Sequence, residues 1–137
     1  MPGTARVTLS FASVLAEDFV ELAAFYRDVF GLAEVAELES EHFRGLWIGT
    51  TVLGFSSTTA YELLDLPRPA AAGNGVRSFL TFEMPEREAV AAYTVQAEET
   101  GATVVQPPHD TYYGAWQAVL MDPGGHAFRI NHLPMAK

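Results

Sequence analysis

The sequence predicts an α+β protein in which one βαβββ unit is used twice, and three observations carry the prediction. An alternating strand is followed by an amphipathic helix near the N-terminus; the proline- and glycine-dense stretch PRPAAAGNG at 67–75 interrupts the chain near its middle; and the same order of elements then begins again. Ser10-Phe11 matches Ser78-Phe79, and Ala23-Ala24-Phe25 matches Ala91-Ala92-Tyr93, at one common offset. Gly31-Leu32-Ala33-Glu34-Val35 matches Gly101-Ala102-Thr103-Val104-Val105 after a helix two residues longer. The expected organisation is a first module at 1–66, a linker at 67–75 and a second module at 76–137. A period this long points to pseudo-twofold architecture rather than a solenoid, and each module alone is too small to bury much.

From Val7 to Val14 the chain alternates, with Val7, Leu9, Phe11 and Ser13 on one face and Thr8, Ser10, Ala12 and Val14 on the other, which is a strand. Asp18 with Glu21 three positions on has capping-box form. Phe19, Leu22, Tyr26, Val29 and Phe30 then recur at helical spacing until Gly31 supplies the stop. Three extended runs follow, at Leu32–Leu38, Phe43–Gly49 and Thr51–Ser56, and AYELLDL at 60–66 suits a short helical turn. After the linker the expectation is a strand through VRSFLTFEM and a helix from about Pro85 to Thr100, then strands near Thr103–Gln106, Ala115–Met121 and Ala127–His132. In MDPGGHAFRI at 121–130, Asp122, Pro123, Gly124 and Gly125 are turn chemistry, and the strand after them sets Ala127, Arg129 and Asn131 on one face, Phe128 and Ile130 on the other.

The 137 residues fit one compact domain or two small fused modules, and 49% apolar content is ample for a core. Seventeen acidic against eight basic residues give a formal charge of −9, which argues against nucleic acid or an anionic membrane as partner and would draw in a cation. The absence of cysteine excludes disulfides, thiolate metal sites and a cysteine nucleophile. The N-terminus enters a strand directly, without an apolar leader or a membrane-length run, so the expected location is cytoplasmic. His42, His109, His126 and His132 lie in loops, at a turn and at a strand end, without helical i, i+4 spacing, and read as local structural histidines. No G-x-S-x-G elbow is present, and Gly73-Asn74-Gly75 is too short to cradle a phosphate.

FYRDVFGL at 25–32, taken with PPHDTYYGAWQAVLMDPGGHAFRI at 107–130, resembles the vicinal oxygen chelate superfamily, which includes glyoxalase I, extradiol dioxygenases, fosfomycin-modifying proteins and bleomycin resistance proteins. The resemblance covers nearly the whole chain. It implies two βαβββ modules forming a curved mixed sheet around a ligand-holding cup, commonly completed by a second subunit, so a homodimer is expected. Metal-dependent members place ligands on the first and last strands of each module, where this chain has Phe11, Gly54, Phe79 and Arg129. Phenylalanine and glycine side chains offer no lone pair and a guanidinium repels a cation, so no metal, no cofactor and no catalytic residue are assigned.

The ligand-binding residues implied are Phe11, Trp47, Phe79, Tyr112, Tyr113, Trp116 and Arg129, with Trp47 and Trp116 at comparable places in the penultimate strands. For each aromatic, core packing or a turn role stands beside the ligand role. Arg129 needs a partner to offset desolvation. Glu83, whose strand parity matches that of Phe79, is the internal partner expected; an anionic or carbonyl group of a ligand is the alternative. The function implied is metal-independent sequestration of a hydrophobic or planar natural product or antibiotic, cationic ones included, in the manner of bleomycin-resistance-like proteins. Two alternatives stand beside it: an enzyme of the same fold with an atypical site, and a dimeric accessory domain whose cup is filled core.

Overall fold

The computed structural model describes residues 8–69 and 78–135. Val7, the 70–75 part of the linker with Gly73-Asn74-Gly75, and Val76-Arg77 of the VRSFLTFEM strand lie outside these residues. The chain groups into two compact units, Met1–Arg27 with Leu32–Leu66, and Asp28–Gly31 with Pro67–Lys137.

In the first unit β1 (Phe11–Leu15) leads into α1 (Phe19–Phe30), followed by β2 (Phe43–Ile48), β3 (Thr51–Ser56) and the short α2 (Ala60–Leu63). The sheet order is β1-β3-β2, with β1 parallel and β2 antiparallel to β3. Leu22, Ala23, Phe25 and Tyr26 of α1 are buried together with Leu46, Leu53 and Phe55 of the sheet, and the Tyr26 and Phe55 rings stack at 5.5 Å. Because Leu53 and Phe55 share one strand parity, the opposite parity of each strand is left on the face away from α1.

The strand expected over Leu32–Leu38 is a correction. Only Ala33–Val35 pairs with β2, through Val35 N–H to the Gly45 carbonyl at 2.8 Å and Trp47 N–H to the Ala33 carbonyl at 2.8 Å, and Ala36–Leu38 then coils as a 3-10 turn. Two hydrogen bonds are too few for a strand of its own. They nevertheless set a fourth segment at the free edge of β2.

The second unit carries β4 (Phe79–Glu83), α3 (Arg87–Glu99), β5 (Thr103–Asp110), β6 (Trp116–Met121) and β7 (Ala127–His132). Its sheet order is β4-β7-β6-β5, again with the first strand parallel to the last. This is the order of the first unit once the Ala33–Val35 segment is counted, so the repeated sequence builds the same topology twice. Phe82, Ala118, Leu120, Phe128 and Ile130 are buried with Val90 and Ala97 of α3, and Phe30, at the end of α1 that groups with this second unit, stacks on Phe82 at 4.3 Å. Both long helices end in the same way. Gly31 and Gly101 hold φ of +64° and +116°, and the following N–H closes back on the helix, Leu32 to the Arg27 carbonyl at 3.1 Å and Ala102 to the Ala97 carbonyl at 2.9 Å. That closure is the Schellman motif, whose left-handed residue favours glycine. Among the described residues no helix is long and apolar enough to cross a membrane.

Candidate functional site

Strand register turns the alternating pattern into rows. On the face of the second sheet away from α3, Phe79, Ala127 and Met121 stand side by side across β4, β7 and β6; the next row is Thr81, Arg129 and Val119; the third is Glu83, Asn131 and Gln117. The face therefore grades from apolar at one edge, through a single guanidinium, to a row of hydrogen-bonding side chains. Phe79 is 54% exposed, whereas Gln117 and Asn131 are buried.

Arg129 is the centre of this face. Its Nε donates to Thr81 Oγ1 at 3.0 Å, and its Nη1 donates to the Tyr113 hydroxyl at 2.9 Å and to Gln117 Oε1 at 3.2 Å. The Tyr113 hydroxyl also donates to Gln117 Oε1 at 3.0 Å, and the guanidinium lies 4.8 Å from the centroid of the Phe79 ring. Every one of these partners is neutral. The expected ion pair with Glu83 is not formed: Glu83 Oε1 accepts from Asn131 Nδ2 at 2.9 Å and Oε2 from the Leu133 N–H at 2.6 Å. The physical reason is register, since Glu83 lies opposite Asn131, one row beyond the Thr81–Arg129 pair, although its parity is the same.

The corresponding face of the first unit carries the rows Phe11, Val52, Trp47; Ser13, Gly54, Gly45; and Leu15, Ser56, Phe43. Here the glycine row is filled from the side by Phe43. A Cβ on Gly54 would lie 2.7 and 2.8 Å from Cε1 and Cζ of the Phe43 ring and 2.9 Å from Ser13 Oγ, and a Cβ on Gly45 would lie 3.0 Å from Phe43 Cε2. Phe11 meets the same ring edge-on, with centroids 6.2 Å apart. Gly54 and Arg129 thus hold matching places in the two repeats, one covered by an aromatic ring and the other occupied by a cation.

Of the seven residues singled out from sequence, Phe79, Tyr113 and Arg129 come together on the second-unit face. Tyr112 is fully exposed and packs edge-on to Tyr113 at 5.1 Å. Phe11 and Trp47 share a row on the first-unit face and remain 46% and 41% exposed. Trp116 stands apart. It pairs with His132 on the helix-packed side of β6, where the Arg87 guanidinium stacks 3.9 Å from its ring and reaches Asp110 at 3.6 Å. Its expected equivalence with Trp47 is therefore a correction: the register partner of Trp47 is Val52 and that of Met121 is Ala127, so Met121 holds the place of Trp47. Thr81, Gln117 and Phe43 escaped the sequence reading. Thr81 and Gln117 shared parity with Phe79 and Val119, while Phe43 alternated with Gly45 and Trp47, but parity alone does not show which rows meet.

The four positions that the resemblance assigns to metal ligands do not fit a divalent ion. Two are phenylalanines, Gly54 lies under a phenyl ring, and Arg129 brings a positive charge to the place. Among the described residues no three histidine, aspartate or glutamate side chains converge to hold a metal. The histidines have local partners instead: His42 Nδ1 meets Ser57 Oγ at 3.1 Å, His109 Nδ1 the Pro107 carbonyl at 2.9 Å, His132 Nδ1 the Met84 carbonyl at 3.0 Å, and His126 Nδ1 lies 3.4 Å from the buried Asp122.

Comparison with known proteins gives the fold and the family. The chain is 37% identical to a glyoxalase/bleomycin resistance protein/dioxygenase family enzyme from Burkholderia phytofirmans PsJN, over 93% of this chain and 100% of that one, with a TM-score of 0.86. A glyoxalase-related enzyme from Fulvimarina pelagi matches at 18% identity over 96% and 94% of the two chains, with a TM-score of 0.80. Lactoylglutathione lyase from Agrobacterium tumefaciens matches at 22% over 93% and 95%, with a TM-score of 0.70. At these lower identities the likeness is one of fold. No curated protein matches the chain. The family model for the Glyoxalase/Bleomycin resistance protein/Dioxygenase superfamily matches residues 8–130, and with the 37% identity across the Burkholderia protein it establishes that the chain belongs to that superfamily.

Proposed function

We propose that this protein is a metal-independent binding protein for a small, partly planar organic molecule. The observation that carries the reading is the pair of replacements at the repeat-related positions Gly54 and Arg129: a phenyl ring lies over the first, and a guanidinium whose partners among the described residues are all neutral occupies the second. Neither place accepts a cation. What remains is an exposed aromatic, Phe79, beside a positioned donor, which is the composition of a small-molecule site: apolar walls with a few placed polar groups. The exposure of Phe11, Trp47 and Phe79 on these faces also supports a homodimer, to be tested by sedimentation at micromolar concentration.

A thermal-shift screen of a small-molecule library, run on protein dialysed against a chelator, tests the function. Hits that persist after chelation and weaken in Phe79→Ala are the expected result. Hits that need added zinc, nickel, manganese or iron, with about one metal per chain by elemental analysis, overturn it.

A second reading draws on one observation. The Arg129 guanidinium, held in place by the Tyr113 hydroxyl at 2.9 Å, is a positioned donor for a developing oxyanion, and the Burkholderia relative is described as an enzyme. Catalytic turnover of a hit, lost in both Arg129→Met and Tyr113→Phe, would favour it over simple binding.

A further inference from the structure

We infer that the ligand taken by the second-unit face is an organic oxyanion of the carboxylate class, its charged end at Arg129 and a flat apolar body on Phe79. The inference rests on the binding role proposed above and adds the chemical class of the ligand. A count of donors and acceptors carries it. Gln117 Oε1 already accepts from both Tyr113 and Arg129, and its orientation is fixed because the amide nitrogen cannot face a guanidinium N–H. The Tyr113 hydrogen is committed to that same oxygen. Thr81 Oγ1 accepts from Arg129 Nε, which leaves its own hydrogen unassigned, and Nη2 of Arg129 makes no hydrogen bond among the described residues. Nε and Nη2 share one edge of the guanidinium, so the Thr81 hydroxyl and the Nη2 hydrogens are neighbouring donors. Around the guanidinium the open capacity is donor capacity.

Charge points the same way. Among the described residues no carboxylate pairs with Arg129, and Glu83, the nearest candidate by parity, is spent on Asn131 and Leu133. The buried Asn131 Oδ1, without a partner among the described residues, lies one row beyond Arg129, beside Glu83 and Gln117 and away from the Phe79 row. The apolar row of Phe79, Ala127 and Met121 adjoins Arg129 on the side away from Glu83, so an anion at the guanidinium would extend its apolar part over that row. A cation would meet Arg129 with no acid to receive it.

Three probes of nearly one shape test the assignment: benzoate, benzamide and benzamidine, titrated at neutral pH and physiological ionic strength with binding followed by amide NMR shifts. Benzoate is expected to bind at least about tenfold tighter than benzamide, with benzamidine weakest, as a charge-assisted hydrogen bond implies. Arg129→Met should erase the benzoate preference, Arg129→Lys should keep part of it, and Phe79→Ala should weaken benzoate and benzamide alike. Benzamidine equal to or tighter than benzoate in the wild type, with sensitivity to Phe79→Ala, would overturn the anion assignment and leave the binding role standing. Absence of a benzoate response at Phe79, Thr81 or Arg129 would also overturn the assignment. Loss of the library hits on chelation would instead overturn the binding role itself.

Discussion

Among the described residues Arg129 carries its charge without a carboxylate, and that separates what it does for stability from what Glu83 does. Removing the guanidinium leaves Tyr113 bonded to Gln117 and leaves Thr81 exposed, so Arg129→Met should change unfolding free energy by no more than about 1 kcal/mol. Glu83→Ala strips the acceptor from Asn131 Nδ2 and from the Leu133 N–H and should cost about 1–2 kcal/mol. Urea denaturation of the two variants gives the comparison; a larger loss at Arg129 than at Glu83 would make the arginine a structural residue. Gly54→Ala brings a methyl to within 2.7 Å of the Phe43 ring and should cost about 1–3 kcal/mol, partly recovered by Phe43→Leu in the same chain. Equal costs in the presence and absence of Phe43 would show that the ring is not what the glycine accommodates. Alternation put Ala127, Arg129 and Asn131 on one face of their strand, and the family resemblance set Phe79 beside Arg129. Alternation was not enough to separate Thr81 from Glu83, because parity names the face and only register names the row. Trp116 was misplaced although Ala118 and Leu120, at its parity, are the core-facing residues of WQAVLM.

At the scale of elements, the sequence repeat reproduced topology more faithfully than length. The segment after α1 and the strand after α3 take the same place beside their penultimate strands, yet one makes two hydrogen bonds and the other runs from Thr103 to Asp110. The run AEVAEL after Leu32 carries two acids and leaves β2 once Val35 is buried, coiling over Ala36–Leu38. In β5 the register shifts between Val104 and Gln106 and again between Gln106 and His109, around Pro107 and Pro108, which have no N–H to pair; the edge strand tolerates both prolines. The prolines were visible in the sequence, but the length of pairing on either side of them depended on β6. The short segment makes a sharp prediction for hydrogen exchange. The amides of Val35 and Trp47 should be protected, while that of Glu34, between them in the pairing but pointing away from β2, should exchange near its intrinsic rate. Protection of all residues from Leu32 to Leu38 would mean that the full strand forms in solution.

For the whole molecule, two electrostatic influences act on a charged ligand with opposite sign. The formal charge of −9 attracts cations at long range, whereas Arg129 attracts oxyanions at contact. An ion pair at about 4 Å with an effective dielectric near 20 is worth roughly 4 kcal/mol before desolvation. The net charge, taken at a distance of roughly 18 Å in water, contributes about 1 kcal/mol in ~0.01 M salt and a few tenths of a kcal/mol in ~0.15 M salt. Contact therefore decides the preference of the wild-type protein, even though composition alone favoured a cation. Deleting the guanidinium removes the larger influence and exposes the smaller one. In Arg129→Met, whose net charge is one unit more negative, the order of the benzoate, benzamide and benzamidine series should invert at low salt. Benzamidine should then be favoured over benzoate by roughly thirtyfold, because the field raises one and lowers the other. Raising salt to ~0.15 M should collapse that gap to about twofold, since the Debye length falls to about 8 Å while the apolar contact with Phe79 is unaffected. The same two titrations on the wild type should keep benzoate first at physiological salt. If the variant still prefers benzoate at low salt, another cation must hold the anion, and Arg129 would not be the residue that sets the ligand's charge.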